Sequence, residues 1–168
     1  PIMEVKLTEV MTLPLAETEK QSLGEDAEET ISKLMKDFSV LGIGPGISRQ
    51  LETQRLVRKI IEKSNIPLVI DADAIYALSE DATILKKGKV PLVITPHPGE
   101  MAKLINKDID YILDNQLDIT REIAQEFGIV VVLKGARTIV ANKEGEVYIN
   151  ISYILGNGIK IYLCPSRA

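Results

Sequence analysis

The sequence predicts an α/β protein of three layers, in which a mainly parallel β-sheet is covered by helices on both faces and ends in an antiparallel edge hairpin. Three observations predict this fold class. Four short apolar runs show no alternation of apolar and polar residues, which is typical of strands buried on both faces. Amphipathic segments separate these runs, as expected of helical crossovers between parallel strands. Two further apolar runs then flank Asn142–Gly145, which is the pattern of a hairpin.

Composition narrows the class of protein. The chain has 168 residues, the size of one domain, and 20 basic against 24 acidic residues give a net charge of −4, which argues against nucleic acid or an anionic membrane as partner. The single cysteine, Cys164, excludes an intramolecular disulfide, and with one histidine there is no cluster for structural zinc. With no membrane-length apolar run and no signal peptide, we expect a cytoplasmic protein.

The first elements follow from local patterns. We expect a helix over Ala27–Lys36 and then a strand over Phe38–Gly44, a candidate for a central strand because its apolar run shows no alternation. Ser48 is expected to cap a helix over Arg49–Ser64. The apolar face of that helix consists of residues at helical spacing: Leu56, Val57, Ile60 and Ile61.

The later elements repeat the alternation of strand and helix. Three more buried strands are predicted: Pro67–Asp71, Val90–Thr95 and Gly128–Leu133. The helical segments beside them are Ala74–Leu78, Gly99–Ile105 and Gln116–Phe127. The hairpin covers Thr138–Ile149. We expect residues 1–150 to form one partial domain and residues 151–168 to be an atypical C-terminal tail.

Each predicted parallel strand is followed by a loop that contains glycine, carboxylate, histidine or lysine residues. Ligands of parallel sheets bind at the carboxyl ends of the strands, where these loops lie. Gly44 and Gly46 let the backbone approach an anionic ligand, whereas a tight strand-to-helix turn is the alternative. Asp71 and Asp73 follow the second strand. One of these carboxylates can face the crevice while the other caps the next helix, and capping alone is the alternative.

The third and fourth strands end in residues suited to polar ligands. His97 stands between two prolines that stiffen the loop, with Glu100 three residues later, whereas a purely structural histidine is the alternative. Lys134 followed by Gly135 suits a phosphate contact, whereas an exposed edge-strand lysine is the alternative. Four such loops in one chain predict a site for a polar small molecule.

Four motifs at these positions resemble those of a known family. They are Gly44-Pro-Gly46, Ile70–Ile75, Ile94–Met101 and Val132–Thr138. In order and spacing they resemble the ADP- or ATP-dependent NAD(P)H-hydrate dehydratases, a carbohydrate-kinase-related branch of the ribokinase-like superfamily. The resemblance extends over residues 1–150 and implies a ribokinase-like fold.

The resemblance also implies a reaction. In this family the 6-hydroxyl of hydrated NADH or NADPH is phosphorylated from ADP or ATP with Mg²⁺, and elimination of phosphate then restores the nicotinamide ring. The resemblance implies that Gly44, Gly46 and His97 contact the hydrate. Asp73, a carboxylate at a strand end, is expected to bind the substrate with them. Glu100 lies near the magnesium and the phosphates. The expected nucleotide-site residues are Lys134, Gly135, Ala136, Arg137 and Thr138.

The C-terminal part departs from the family pattern. Gly156–Gly158 matches part of a Gly-Asn-x-Gly motif, but the Gly-Gly-Thr/Ser-Gly-Asp segment that supplies the catalytic aspartate is not found, and Asp118 is the last aspartate. We therefore expect a middle piece of such an enzyme, truncated at both ends, the product of a split or frameshifted gene, with negligible turnover by itself.

Other functions stay open at this stage. They are a related kinase of small alcohols such as thiamin precursors, and a degenerate nucleotide-binding or assembly module without catalysis. Homo-oligomerisation is also left open.

Overall fold

A six-stranded β-sheet forms the centre of the molecule in the computed structural model, which describes residues 11–150. Its strands lie in chain order: β1 (Leu41–Ile43), β2 (Leu68–Ile70), β3 (Leu92–Ile94), β4 (Val130–Leu133), β5 (Thr138–Ala141) and β6 (Val147–Asn150). Strands β1 to β4 are mutually parallel neighbours, whereas β4, β5 and β6 pair in antiparallel fashion. The predicted parallel order and the antiparallel hairpin are therefore confirmed.

Helices precede the first parallel strand and connect the parallel strands to one another. After a 3₁₀ turn at Glu25–Ala27 they are α1 (Glu28–Leu34), α2 (Leu51–Lys63), α3 (Asp73–Leu78), α4 (Ile84–Lys87), α5 (Pro98–Leu104), α6 (Ile109–Asp114) and α7 (Gln116–Phe127). The four predicted apolar residues of α2 are all buried. They join Ile70, Ile94, Met101 and Leu133 in one hydrophobic core, whose burial stabilises the sheet and holds its strand ends in place.

The strands are less buried than their sequences predict. In β2, Leu68 and Ile70 are buried while Val69 between them is 37% exposed, so burial on both faces is wrong for this strand. The expected central position of the first strand is also wrong for the described residues, because β1 pairs only with β2. Phe38 and Val40, predicted within that strand, precede it and are exposed. Apolar composition alone does not distinguish these environments.

Helix α2 begins later than predicted. Its N-cap residue is Gln50, whose side chain makes no capping hydrogen bond, so the expectation that Ser48 caps the helix is wrong. The reason is conformational: Ser48 has φ +81°, whereas an N-cap residue normally has extended backbone. The Ser48 hydroxyl instead accepts a hydrogen bond from the Gln50 amide at 3.3 Å.

The turn between β5 and β6 has the predicted position. The Asn142 carbonyl accepts from the Gly145 amide, and Gly145 has φ +85°, a value that favours glycine. The predicted tail and the Gly156–Gly158 motif lie outside the described residues. Within residues 11–150, no helix combines the length and apolar character needed to cross a membrane.

Candidate functional site

The loops that follow β1 to β4 meet at the carboxyl edge of the sheet. Because the four strands are parallel, their last residues lie at the same edge. Backbone hydrogen bonds join neighbouring loops. The Asp71 amide donates to the Ile43 carbonyl at 3.0 Å, and the Lys134 amide donates to the Pro96 carbonyl at 2.7 Å. These bonds fix the loops that carry the predicted site residues.

A cluster of charged side chains lies at this edge. The Lys134 ammonium is 2.6 Å from Asp71 Oδ1 and 4.0 Å from Glu100 Oε2. Asp71 also accepts a hydrogen bond from the Thr95 side chain. Lys134 and Glu100, both predicted for the nucleotide site, are thus brought together across the strand ends.

The Asp71 carboxyl ionises more readily than a free aspartate. Burial opposes its ionisation, but hydrogen bonds from the Lys134 and Thr95 side chains and from the Ala72 amide outweigh that cost. The pKa of Asp71 therefore lies below its ordinary value. The Asp71 carboxyl is therefore ionised near neutral pH.

This pKa shift predicts how pH acts on stability. A carboxyl with a depressed pKa in the folded chain contributes stability that is fully present above its unfolded pKa, about 4, and is lost as pH falls through the folded pKa. We expect the difference in melting temperature between the parent and Asp71→Asn to shrink as pH falls below about 4. Thermal unfolding across that range measures it. A difference independent of pH would contradict the assignment.

The loop after β1 requires glycine at its first position. Gly44 has φ +142°, and a Cβ built there would lie 1.7 Å from the Asp71 carbonyl oxygen. Next to that carbonyl, Ala72 has φ +47° and ψ −121°, an unusual backbone conformation for a residue with a side chain. The first two loops are therefore packed backbone to backbone, and Ala72 has a strained backbone at the predicted substrate end of the site.

Asp73 joins the same two loops through its side chain. Its Oδ2 accepts from the Ser48 amide at 3.3 Å, and its Oδ1 accepts from Arg49 Nε at 2.9 Å. The Arg49 guanidinium lies 4.5 Å from the centre of the Tyr76 ring. No side-chain capping bond is present at the start of α3, so the expectation that one aspartate caps this helix is wrong. Both oxygens of Asp73 hold the glycine loop instead.

His97 is the N-cap residue of α5. The Glu100 amide donates to His97 Nδ1 at 3.2 Å, and Glu100 Oε2 accepts from the His97 amide at 2.8 Å, which together form a capping box. The structural explanation offered for this histidine is thus realised. His97 Nε2 lies 3.4 Å from Glu100 Oε1, and its side chain is 57% exposed, so the ring is accessible to a ligand.

The remaining nucleotide-site residues form the loop between β4 and β5. Gly135, Ala136 and Arg137 are exposed, and Thr138 begins β5. Their position next to Lys134 places them at the same edge of the sheet. The structure gives them no side-chain contact with Asp71 or Glu100, so their role stays a prediction.

Two clefts adjoin the loop after β1. One, of about 280 Å³, is lined by Gly46, Ile47 and Ser48 together with Leu13, Gln21 and other residues near the N-terminal side. The second, of about 330 Å³, lies beside β1 and has no titratable side chain in its lining. Of these two clefts, the first combines a predicted substrate residue with polar side chains, whereas the second adds only the backbone of Gly44 to an apolar lining.

Sequence reasoning did not assign three residues of this edge. Asp71 was considered only as one of two strand-end carboxylates, and Thr95 and Arg49 were not singled out at all. A carboxylate at one strand end and a lysine 63 positions later give no local signal of their 2.6 Å contact. Only the parallel strand order brings them together.

Fold and side-chain placement define a class of protein: an α/β domain with a cluster of charged side chains where parallel strands end, which is where such sheets bind ligands. A family model described as NAD(P)H-hydrate dehydratase matches residues 2–156. The chain belongs to that family.

Curated relatives support the assignment. A bifunctional NAD(P)H-hydrate repair enzyme of Moorella thermoacetica is 42% identical over 149 residues, which are 89% of this chain and 28% of the relative. An ADP-dependent (S)-NAD(P)H-hydrate dehydratase of Neisseria meningitidis is 37% identical over 115 residues, or 67% of this chain and 38% of the relative. The chain therefore spans well under half the length of these relatives.

Solved structures show the same fold. A ribokinase-like superfamily protein of Enterococcus faecalis has a TM-score of 0.62 at 23% identity, covering 79% of this chain and 46% of its own. An ADP/ATP-dependent NAD(P)H-hydrate dehydratase of Bacillus subtilis, co-crystallised with ATP and Mg²⁺, has a TM-score of 0.56 at 25% identity, covering 68% and 39%. The predicted ribokinase-like α/β fold class is confirmed.

Proposed function

We propose that this chain forms part of an ADP- or ATP-dependent dehydratase that repairs hydrated NADH or NADPH in the cytoplasm. The observation that carries the proposal is the cluster of Lys134, Asp71 and Glu100 at the strand ends, in a chain that belongs to the family. The substrate and the nucleotide are inferred from two relatives, one an NAD(P)H-hydrate repair enzyme and the other an ADP-dependent dehydratase of the same hydrate. A strand-end lysine with adjoining carboxylates is suited to phosphoryl transfer, which depends on positioning and charge neutralisation.

The nucleotide half of the site is assigned to the end of β4. Lys134 has three N–H donors, of which Asp71 occupies one, and its side chain is 42% exposed. The other donors are open to phosphate oxygens. Gly135–Thr138 continue along the same edge, where the exposed residues Gly135, Ala136 and Arg137 can contact the nucleotide.

Magnesium fits this donor set as a companion of the nucleotide. The described residues contain no group of three or more side chains that could hold a metal ion by themselves. Mg²⁺ is commonly bound by one or two carboxylates together with substrate phosphates and water, and Glu100 is the carboxylate we assign to it. When bound, the ion neutralises phosphate charge.

The substrate half is assigned to the loops after β1 and β3. Gly46 lines a cleft, Gly44 and Asp73 hold the shape of its loop, and the His97 ring is exposed. In the proposed reaction the hydroxyl of the hydrate releases its proton to solvent, and its oxygen bonds to the terminal phosphorus while the bond from that phosphorus to the remaining nucleotide oxygen breaks. Loss of phosphate and a ring proton then restores the double bond.

Calorimetric titration tests the proposal on the polypeptide as it stands. We expect ADP or ATP to bind in the presence of Mg²⁺, and hydrated NADPH to bind as well. A simple sugar such as glucose, used as a negative control, should not bind. A chain that binds neither nucleotide nor hydrate would contradict the proposed function.

His97 offers a variant that separates its two roles. His97→Asn keeps a side-chain acceptor for the Glu100 amide, since asparagine is among the best N-cap residues, but removes the imidazole. We expect hydrate affinity to fall by about tenfold, the effect of losing one good polar contact, while the melting temperature and ADP affinity stay unchanged. Unchanged hydrate affinity would leave His97 with its capping role only.

A further inference from the structure

The Asp71 carboxylate occupies a position that several independent contacts determine. Its amide donates to the Ile43 carbonyl, and its own carbonyl accepts from the Ala74 amide at 3.1 Å. That carbonyl also packs directly against Gly44, in the space that a Cβ at position 44 would occupy. With a side chain only 30% exposed, Asp71 has little freedom to move. Such fixation is the property expected of a group that orients another.

The group that Asp71 orients is the Lys134 ammonium. Lysine carries four rotatable side-chain bonds, so an unrestrained ammonium samples many positions, and ordering it on a ligand has an entropic cost. The 2.6 Å contact to Asp71 restricts the ammonium before any ligand arrives. Glu100 cannot do this equally well, because it is 4.0 Å away and its Oε2 already accepts from the His97 amide.

We propose that Asp71 is a positioning residue for the nucleotide site, holding the Lys134 ammonium at the strand ends so that its free N–H donors face the phosphates. The proposal rests on the nucleotide-binding role given to Lys134 above. It adds a residue whose effect on the nucleotide passes entirely through another side chain.

A double-mutant cycle tests this dependence. We expect Asp71→Asn to weaken Mg²⁺-ADP binding about threefold to tenfold in the parent, and to change it less than twofold in a Lys134→Ala background, because a residue that acts through Lys134 has nothing to position there. A general structural role would give the same loss in both backgrounds. Equal losses, or no loss in the parent, would overturn the proposal.

The chain contains a matched control pair. Glu25 and Lys59 form an ion pair at 2.5 Å on another part of the surface, and Lys59 is 41% exposed against 42% for Lys134. Glu25→Gln, alone and with Lys59→Ala, is expected to leave ADP affinity unchanged. A loss comparable to that of Asp71→Asn would show that removing any such pair lowers affinity, which overturns the proposal.

A ligand-free measurement separates this inference from the proposed function. We expect the Nζ resonance of Lys134 in ¹⁵N-labelled parent chain to show slowed proton exchange that is lost in Asp71→Asn. If ADP fails to bind but this difference is seen, the nucleotide role is wrong while the positioning contact stands. If exchange at Lys134 is the same in both chains, the positioning role is wrong whether or not ADP binds.

Discussion

Replacing Gly44 by alanine is expected to destabilise the fold by about 3–5 kcal/mol, from a backbone conformation reserved for glycine together with severe overpacking. The added Cβ would lie 1.7 Å from the Asp71 carbonyl oxygen, and backbone rather than a flexible side chain would have to move. Because domains are stable by only about 5–15 kcal/mol, a large share of the total would be lost. Denaturant unfolding of the parent and Gly44→Ala measures the effect.

Two neighbouring glycines provide controls for the Gly44 substitution. A Cβ at Gly42 would meet nothing within 4 Å, and its backbone has no positive φ, so Gly42→Ala is expected to change stability by less than about 1 kcal/mol. Gly46 has φ +74° but equally open surroundings, so Gly46→Ala isolates the conformational cost, about 1–2 kcal/mol. A Gly44→Ala chain as stable as Gly42→Ala would contradict the packing of the two loops.

The order of elements could be predicted because local signals agree with the fold. Apolar runs ended by glycine, aspartate, threonine or lysine indicated the strands, and the spacing of Leu56, Val57, Ile60 and Ile61 indicated a helix face that is buried. Asn142–Gly145 marked the hairpin turn correctly. Each of these features depends on residues close together in the chain, which is why a single sequence was sufficient.

Features that depend on distant residues could not be predicted. Whether Val69 faces solvent depends on what covers the sheet, and an apolar residue is compatible with either environment. Asp73 was expected to cap a helix or face a ligand, but Ser48 and Arg49 come within reach only after β1 and β2 pair. The positive φ of Ser48 likewise belongs to the folded loop after β1 and has no local sequence signal. Motifs therefore predicted which residues form the candidate site, while the contacts among those residues required the structure.

Replacing Lys134 by alanine is expected to weaken Mg²⁺-ADP binding by about tenfold to a hundredfold, because charge-assisted hydrogen bonds to phosphate are lost. The free energy of unfolding should change much less than the binding free energy, since the ammonium is at the surface and its stem contributes little to the core. Calorimetric titration and thermal unfolding of the same preparations measure both quantities. If the melting temperature falls while ADP affinity is retained, Lys134 serves stability and its assignment to the nucleotide site is wrong.

Lys59→Ala distinguishes a site lysine from any lysine in an ion pair. Lys59 and Lys134 have nearly equal exposure, and each contacts a carboxylate closely, but Lys59 lies on α2 beside Glu25 and Glu28 rather than at the strand ends. Its removal should leave ADP affinity within about twofold of the parent, because an exposed pair remote from the ligand acts weakly through screened charge. Equal losses for the two variants would mean that net charge, rather than the position of Lys134, governs binding.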